Sequence, residues 1–377
     1  MFITKIMIFC MFFNSLSIVD NNIKKFYEDN IFNRQYIICK AKINEVVYDD
    51  TNEERNIPIE SDIRYQHLDI SIYTGKYKGT NLQIRHTIEK ITPSNYIFKK
   101  NDKILIRIFE NEDRTKIETV SIEEKVRDFP VVIIILCFVL LLVIIGGING
   151  IKTLFSLIIS IFLIIFVYIP FIIKGYNPIF ISVIISIISI ISMLILIAGI
   201  NKKTFVAIIG TSFGVIVSCL VAVLFGKLAS LTGLEDEYAI SFAYIPEYRN
   251  YDFVGIMYGT MLIGAIGAIM DVAMSISSSL SEIKEISPKI SVKDLIKSGM
   301  NIGKDIMGSM ANTLILAYVG TTLHLIMLFS VYKITLLEVL NMEQIAVEII
   351  RSMSGSIGLI LTIPITVFVS AWYYNKK

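Results

Sequence analysis

Cysteine, charge and catalytic signatures are all scarce in this chain, and each scarcity excludes something. Only four cysteines occur in 377 residues, Cys10, Cys39, Cys137 and Cys219. The polar segment 20–129 contains Cys39 alone, so no disulfide can form within it. No CxxC and no Cys/His cluster has the spacing of a metal site. Charged residues make up 18%, against about 25% in soluble domains. Neither sign dominates: 35 Lys and Arg face 33 Asp and Glu, which excludes a nucleic-acid binder driven by bulk charge. There is no GxxxxGK[ST] phosphate loop, so the chain is not its own nucleotide motor. HExxH and GxSxG are also missing, which argues against the common zinc and serine hydrolases. Nothing calls for a cofactor.

What the chain has in excess is apolar residues, 54% of the total, and the charges are crowded away from them. Residues 20–129 carry 19 basic and 20 acidic side chains, 39 of the 68 in the whole chain. A polar domain is therefore joined to an oily one. Ahead of it, Lys5 precedes an apolar run from Ile6 to Val19. That is too short for an ordinary spanning helix, so residues 1–19 read as a signal peptide or an uncleaved anchor. The polar part, 20–129, reads as β. Apolar residues alternate at Leu68, Ile70 and Ile72, at Leu82 and Ile84, and at Ile104, Ile106 and Ile108, the period of a half-buried strand. Tyr36–Tyr48 and Thr115–Ile122 are further strand candidates. Gly75 and Gly79 separate the second and third strands, and Lys100-Asn101-Asp102 turns into the fourth. Five short strands suggest a small closed barrel of the OB kind.

Residues 130–377 contain seven apolar stretches, near 130–148, 153–173, 178–199, 204–229, 253–279, 306–332 and 354–374. Each reaches the roughly 20 residues that a bilayer core demands. The expected fold is an α-helical polytopic membrane protein: seven spans after the N-terminal segment, with a small extracytoplasmic all-β domain. Placing the β domain outside puts Lys152, Lys202, Lys203, Lys284, Lys289, Lys293, Lys297, Lys304, Lys376 and Lys377 on the cytoplasmic side. Lys174, Lys227, Arg249, Lys333 and Arg351 then lie outside. Ten against five favours this orientation in a plasma membrane, with a cytoplasmic C-terminus. Two connections have helix-start signals, Ser291 with Asp294 and Asn341 with Gln344. Both are expected to begin helices lying on the membrane surface.

Polar groups inside the spans mark the candidate site. Asp271 is the one charge well within a stretch, and an aspartate at bilayer centre costs about 2.5–3.5 kcal/mol. Gly264, Gly267, Asp271, Ser275 and Ser278 share a helix face by their spacings of three and four. Asp305, Ser309, Asn312, Leu316 and Gly320 do the same in the next span, and the two faces are expected at similar depth. Three readings compete. The cluster is an ion or substrate site in a transporter, interhelical glue at about 0.6 kcal/mol per hydrogen bond, or a water-activating pair of aspartates. Pro364, between Thr362 and Thr366, is a hinge or a static kink. Gly210, Gly214 and Ser218 make a small-residue packing face. The partners implied are the lipid bilayer and either further copies of the chain or a related membrane protein.

Two long blocks carry a resemblance. Gly264-Ala265-Ile266-Gly267-Ala268-Ile269-Met270-Asp271-Val272-Ala273-Met274-Ser275-Ile276-Ser277 and Gly303-Lys304-Asp305-Ile306-Met307-Gly308-Ser309-Met310-Ala311-Asn312-Thr313-Leu314-Ile315-Leu316-Ala317-Tyr318 resemble the signature blocks of the YibE/F-like family of bacterial membrane proteins. Gly355-Ser356-Ile357-Gly358, followed by Pro364-Ile365-Thr366, is similar to its final span. Tyr73-Thr74-Gly75-Lys76-Tyr77-Lys78-Gly79 is compatible with its outer domain. The resemblance implies a multi-span protein, suspected of membrane transport and sometimes found as related pairs. It places Asp271, Asp305 and Asn312 in motif blocks without assigning them a role.

Overall fold

The computed structural model describes residues 36–51, 63–89, 96–111, 116–248 and 250–375. The N-terminal apolar run, and with it the expected signal or anchor, lies outside the described residues. The chain packs as two units, Met1–Cys137 and Phe138–Lys377.

The first unit holds a curled antiparallel sheet of five strands: β1 (Tyr36–Asp49), β2 (Ile63–Ile72), β3 (Asn81–Glu89), β4 (Lys103–Glu110) and β5 (Ile117–Lys125). Their order is β3-β2-β1-β4-β5, and the edge strands β3 and β5 approach each other. The alternation seen in the sequence is the cause. Cys39, Ala41, Ile43, Leu68, Ile70, Ile72, Ile104, Ile106 and Ile108 all point inward and are buried, each large side chain contributing about 1.5–3 kcal/mol. Gly75 and Gly79 take positive φ in the β2–β3 turn, a conformation that costs glycine nothing. A Cβ on Gly75 would also strike the Cys39 sulfur. Asn101 turns the chain into β4 with φ +73°. The segment before it is pinned by Gln66, which donates to the Phe98 carbonyl at 3.1 Å and accepts from the Phe98 amide at 2.9 Å.

The second unit is helical, and its first helix begins within the last residues of the first unit. Helix α1 (Asp128–Leu163) continues through a π turn at Ile164–Tyr168 into α2 (Ile169–Ile173). Gly147 interrupts α1 with φ 53°, ψ −130°. Then come α3 (Pro178–Ala198), α4 (Lys202–Leu228), the short α5 (Glu237–Ala243), α6 (Phe253–Ile286), α7 (Val292–Thr321), α8 (Leu323–Tyr332), α9 (Leu336–Asn341) and α10 (Glu343–Asn375). Helix starts follow side-chain chemistry. Asn177, Asn201, Asp252 and Ser291 each accept an amide of the first turn, satisfying an otherwise orphaned donor.

Among the described residues, five elements are long and apolar enough to cross a membrane: Asp128–Ile173, α3, α4, α6 and α10. The pair α7–α8, bent by 58°, makes six if it is one span. The two earliest expected stretches thus form one 46-residue element broken at Gly147. Helices α4, α6 and α10 pack on one another, with α3 and α7 against them. Their shared core includes Val215, Ile269, Val272, Ile276, Leu359, Ile363 and Val367.

Two expectations change here. Ser291 does start a helix, but the helix runs on unbroken into the sixth stretch instead of ending at the surface. Asn341 closes α9, whose capping box is Thr335 with Glu338, and residues 345–350 are the first turns of α10. Between Glu343 and Ser354 no Gly or Pro intervenes to stop the second helix; in the first, Gly299 and Gly303 lie inside the helix, packed against Leu280, Val367 and Ile363.

Candidate functional site

Helix α6 is buried along most of its surface, and the exception is the polar stripe. Gly264, Gly267, Asp271 and Ser275 are exposed and Ser278 is half-buried, while Ile269, Met270, Val272, Ala273 and Ile276 between them are buried. Packing faces of α6 are apolar, so burial there follows transfer free energy, and the one stripe without apolar side chains is left uncovered. Among the described residues, the Asp271 carboxylate has no hydrogen bond or ion pair. Ser277, one position off the stripe, instead turns inward and donates to the Lys203 carbonyl at 2.8 Å.

Helix α7 lies antiparallel beside α6, and glycines set the register. A Cβ on Gly264 would stand 2.6 Å from the Tyr318 hydroxyl, one on Gly303 would be 3.4 Å from Ile276, and one on Gly299 2.9 Å from Leu280. Interpolated between these contacts, Ser309 is level with Asp271, and Asp305 with Ser275. Similar depth does not mean one face. Gly303 is buried against the bundle, and at 100° per residue Asp305 and Asn312 sit on the opposite side of α7 from it. Asp305, Ser309 and Asn312 are all exposed. The Ser309 hydroxyl donates to Ile306 O at 3.0 Å within its own helix. No hydrogen bond joins Asp271 to Asp305 or Asn312 among the described residues. The helices thus bring two polar faces to one level without closing them on each other.

Pro364 lies inside α10. Thr362 beside it donates to the Gly358 carbonyl at 2.9 Å and reaches the Gly210 carbonyl at 3.4 Å. Thr366 is fully buried, and its hydroxyl has no partner. A Cβ at Gly210 would collide with Thr366, and one at Gly214 with Thr362. The small face of α4 is therefore the surface on which α10 packs most closely.

A second polar cluster forms around Arg351, which by sequence is only a charge in a connection. Arg351 bonds Glu348 through Nη1, and its Nη2 lies 3.8 Å from Glu235 Oε1. Glu235 belongs to the segment 229–252 that joins α4 to α6. That segment is further tied to α10 by Glu343, which accepts from Thr232 N at 2.5 Å and Thr232 Oγ1 at 2.8 Å. Gln344 donates to the Glu235 carbonyl at 3.0 Å. The i, i+3 spacing of Glu348 and Arg351 was visible in the sequence; Glu235, more than 100 residues away, had no signal. No group of three or more His, Cys, Asp or Glu among the described residues could hold a metal ion.

No curated protein and no solved structure matches the chain. Two family models do: the YibE/F family N-terminal domain over residues 35–125 and the YibE/F-like protein over residues 134–376. The first covers the curled sheet, and the second covers every helix that contributes to the polar faces. Together with the long apolar helices they fit an integral membrane protein, and the chain belongs to the YibE/F-like family.

Proposed function

We propose that the protein is a permease or ion-coupled transporter in which Asp271 binds the transported or coupling proton or cation. The observation that carries this reading is the state of Asp271: an exposed carboxylate without a partner among the described residues, on a helix whose packing faces are buried and apolar. A carboxylate serving as glue would be bonded across a helix seam, and this one is not. An ionisable group at such a depth faces water or a binding path rather than hydrocarbon. Ser275 and Ser278 line that path on α6. Asp305, Ser309 and Asn312 lie at the same level on the outer face of α7, and they join the path only where a second copy or a related chain covers the open side. Pro364, flanked by Thr362 and Thr366, is the point at which α10 bends during the cycle. In this reading the chain has seven spans, because Asp128–Ile173 is about 69 Å long at 1.5 Å per residue, twice a bilayer core, and divides at Gly147. The β domain, whose strand order is that of an OB-like barrel, faces outward.

Proton and monovalent-cation flux into liposomes containing the purified protein tests this. Asp271→Asn is expected to lower flux at least tenfold, on the order of 1.4 kcal/mol in the barrier. Unchanged flux in a folded Asp271→Asn protein would remove the site.

One observation favours a second reading, a scaffold that binds a partner through the β domain. Arg85 stacks on Tyr65 with its guanidinium 3.8 Å from the ring centroid, and Tyr48 meets His67 edge-on at 5.6 Å, across neighbouring strands of one outward face. If that reading holds, Tyr65→Ala with Arg85→Ala abolishes function in cells while Asp271→Asn does not.

A further inference from the structure

The cluster of Glu235, Glu348 and Arg351 has more acid than base. Its side chains are 17%, 20% and 21% exposed, so the charges are largely withdrawn from water. Two carboxylates flank one guanidinium, and the described residues supply no second cation. Glu235 Oε2, Glu348 Oε2 and Arg351 Nε are each wholly buried without a hydrogen-bond partner. Both features carry a cost of burial: one uncompensated negative charge and two carboxylate oxygens with no donor. A single proton removes both, since a carboxyl O–H neutralises the excess charge and supplies a donor.

The cluster lies at the end of the Asp271 stripe. Gly355 on α10 backs Leu314 of α7 and Ala265 of α6. One helical turn further on, Arg351, Tyr318 and Met261 are therefore level. Tyr318 feels the charges of Arg351 and Glu348, and its hydroxyl rests against Gly264. Gly264 is seven residues, about 10 Å, along α6 from Asp271.

We propose that Glu235, Glu348 and Arg351 form a proton-binding triad at the end of the Asp271 stripe, and that the bound proton fastens the 229–252 segment to α10 as a strap. Its effect on flux rests on the transport reading above; the proton and the strap do not. Once the proton leaves, Glu235 is the member that gives way. It is held by the 3.8 Å contact while Glu348 keeps the direct bond to Arg351, and moving into water relieves its repulsion by Glu348. Among the described residues, Tyr318 is the other titratable group facing Arg351 and Glu348, and a phenol, ordinarily titrating near 10, is neutral at the pH values concerned. Glu343, the further charged group on this end of α10, stays bonded to Thr232 and holds the near end of the strap in both states.

Difference infrared spectroscopy of the full chain in lipid reads the proton directly, in an Asp271→Asn background so that Asp271 cannot contribute. A protonated-carboxyl absorption is expected at neutral pH. It should disappear in Glu235→Gln and equally in Glu348→Gln, because either change leaves one carboxylate on one guanidinium. Arg351→Gln should strengthen it, which provides a variant of opposite sign where a glutamine variant fails to fold. Amide exchange, corrected for its intrinsic pH dependence, reads the strap. Protection of residues 231–245 should fall about tenfold between about pH 5 and about pH 9 in the wild type, and not in Glu235→Gln, one pKa unit of linkage being a factor of ten. An absorption unaffected by both glutamine variants, or strap protection that ignores pH, overturns the triad. Flux unaffected by Asp271→Asn alongside a titrating triad would overturn the transport reading alone.

Discussion

At the scale of single residues, uncovered and unpartnered polar atoms locate the proposed sites more sharply than charge counts do. Asp271 stands out because its neighbours on α6 are buried and it is not. Ser277, six residues along the same helix, has found a carbonyl and needs no functional explanation. A titratable residue in the β domain behaves in the ordinary way. His86 on β3 lies edge-on to Phe98 at 4.8 Å, and its Nε2 donates to the Tyr96 carbonyl at 2.9 Å. Burial pushes its pKa below the usual histidine value, outweighing that hydrogen bond. The unfolded domain therefore binds the proton more readily than the folded one. The stability contributed by neutral His86 is complete above about pH 6.5 and is lost as pH falls through its lower folded value. Amide exchange in β2 and β3 should accelerate on acidification through this range, and His86→Gln should flatten the response. An unchanged pH slope in that variant would assign the effect elsewhere.

Among the elements, α10 does the most, and it does so because it was longer than its apolar pattern. Its first turns, through Arg351, hold the 229–252 segment; its middle lies on the glycines of α4; Pro364 lies between two threonines that contact that seam. Any bend at Pro364 must carry α4 along, since a Cβ at Gly210 or Gly214 already has no room. A proline in a helix interior costs about 3 kcal/mol relative to alanine. Pro364→Ala should therefore fold at least as well as the wild type. If α10 bends in the cycle, the same change should slow flux several-fold without altering which ion is carried. Wild-type flux in that variant would make the proline a fixed kink.

For the whole molecule, the arrangement to be tested is which side of the membrane each end faces. The basic connection around Lys289 and the β domain should lie on opposite sides, by the excess of lysines in the former. In a chain with Cys10, Cys39, Cys137 and Cys219 replaced by serine, Lys78→Cys and Lys289→Cys provide reporters at two exposed positions. A membrane-impermeant thiol reagent applied to intact cells should label position 78 and spare 289. The reverse pattern would invert the topology. The exposed polar face of α7 adds a requirement at this scale. Asn312 and Ser309 are turned away from their own bundle, which lipid would penalise, so the lone chain leaves that face to water or to another chain.

The sequence by itself determined the division into a β part and an oily part, the inward faces of the strands that follow from alternation, and the stripe on α6 that includes Asp271. These are local properties: a period of two or of 3.6 residues sorts side chains to faces before any tertiary contact forms. It also fixed family membership, because the two motif blocks are contiguous in the chain. Only the tertiary structure decided the rest. Rotation of α7 about its axis, set by the glycines packed at 299 and 303, turned Asp305, Ser309 and Asn312 away from Asp271 although their depths agree. The joining of Glu235 to Arg351 depends on how the 229–252 segment folds back on α10, which periodicity does not encode. Relative rotation and long-range pairing are chosen by packing between elements, and one helix pattern is compatible with many such choices.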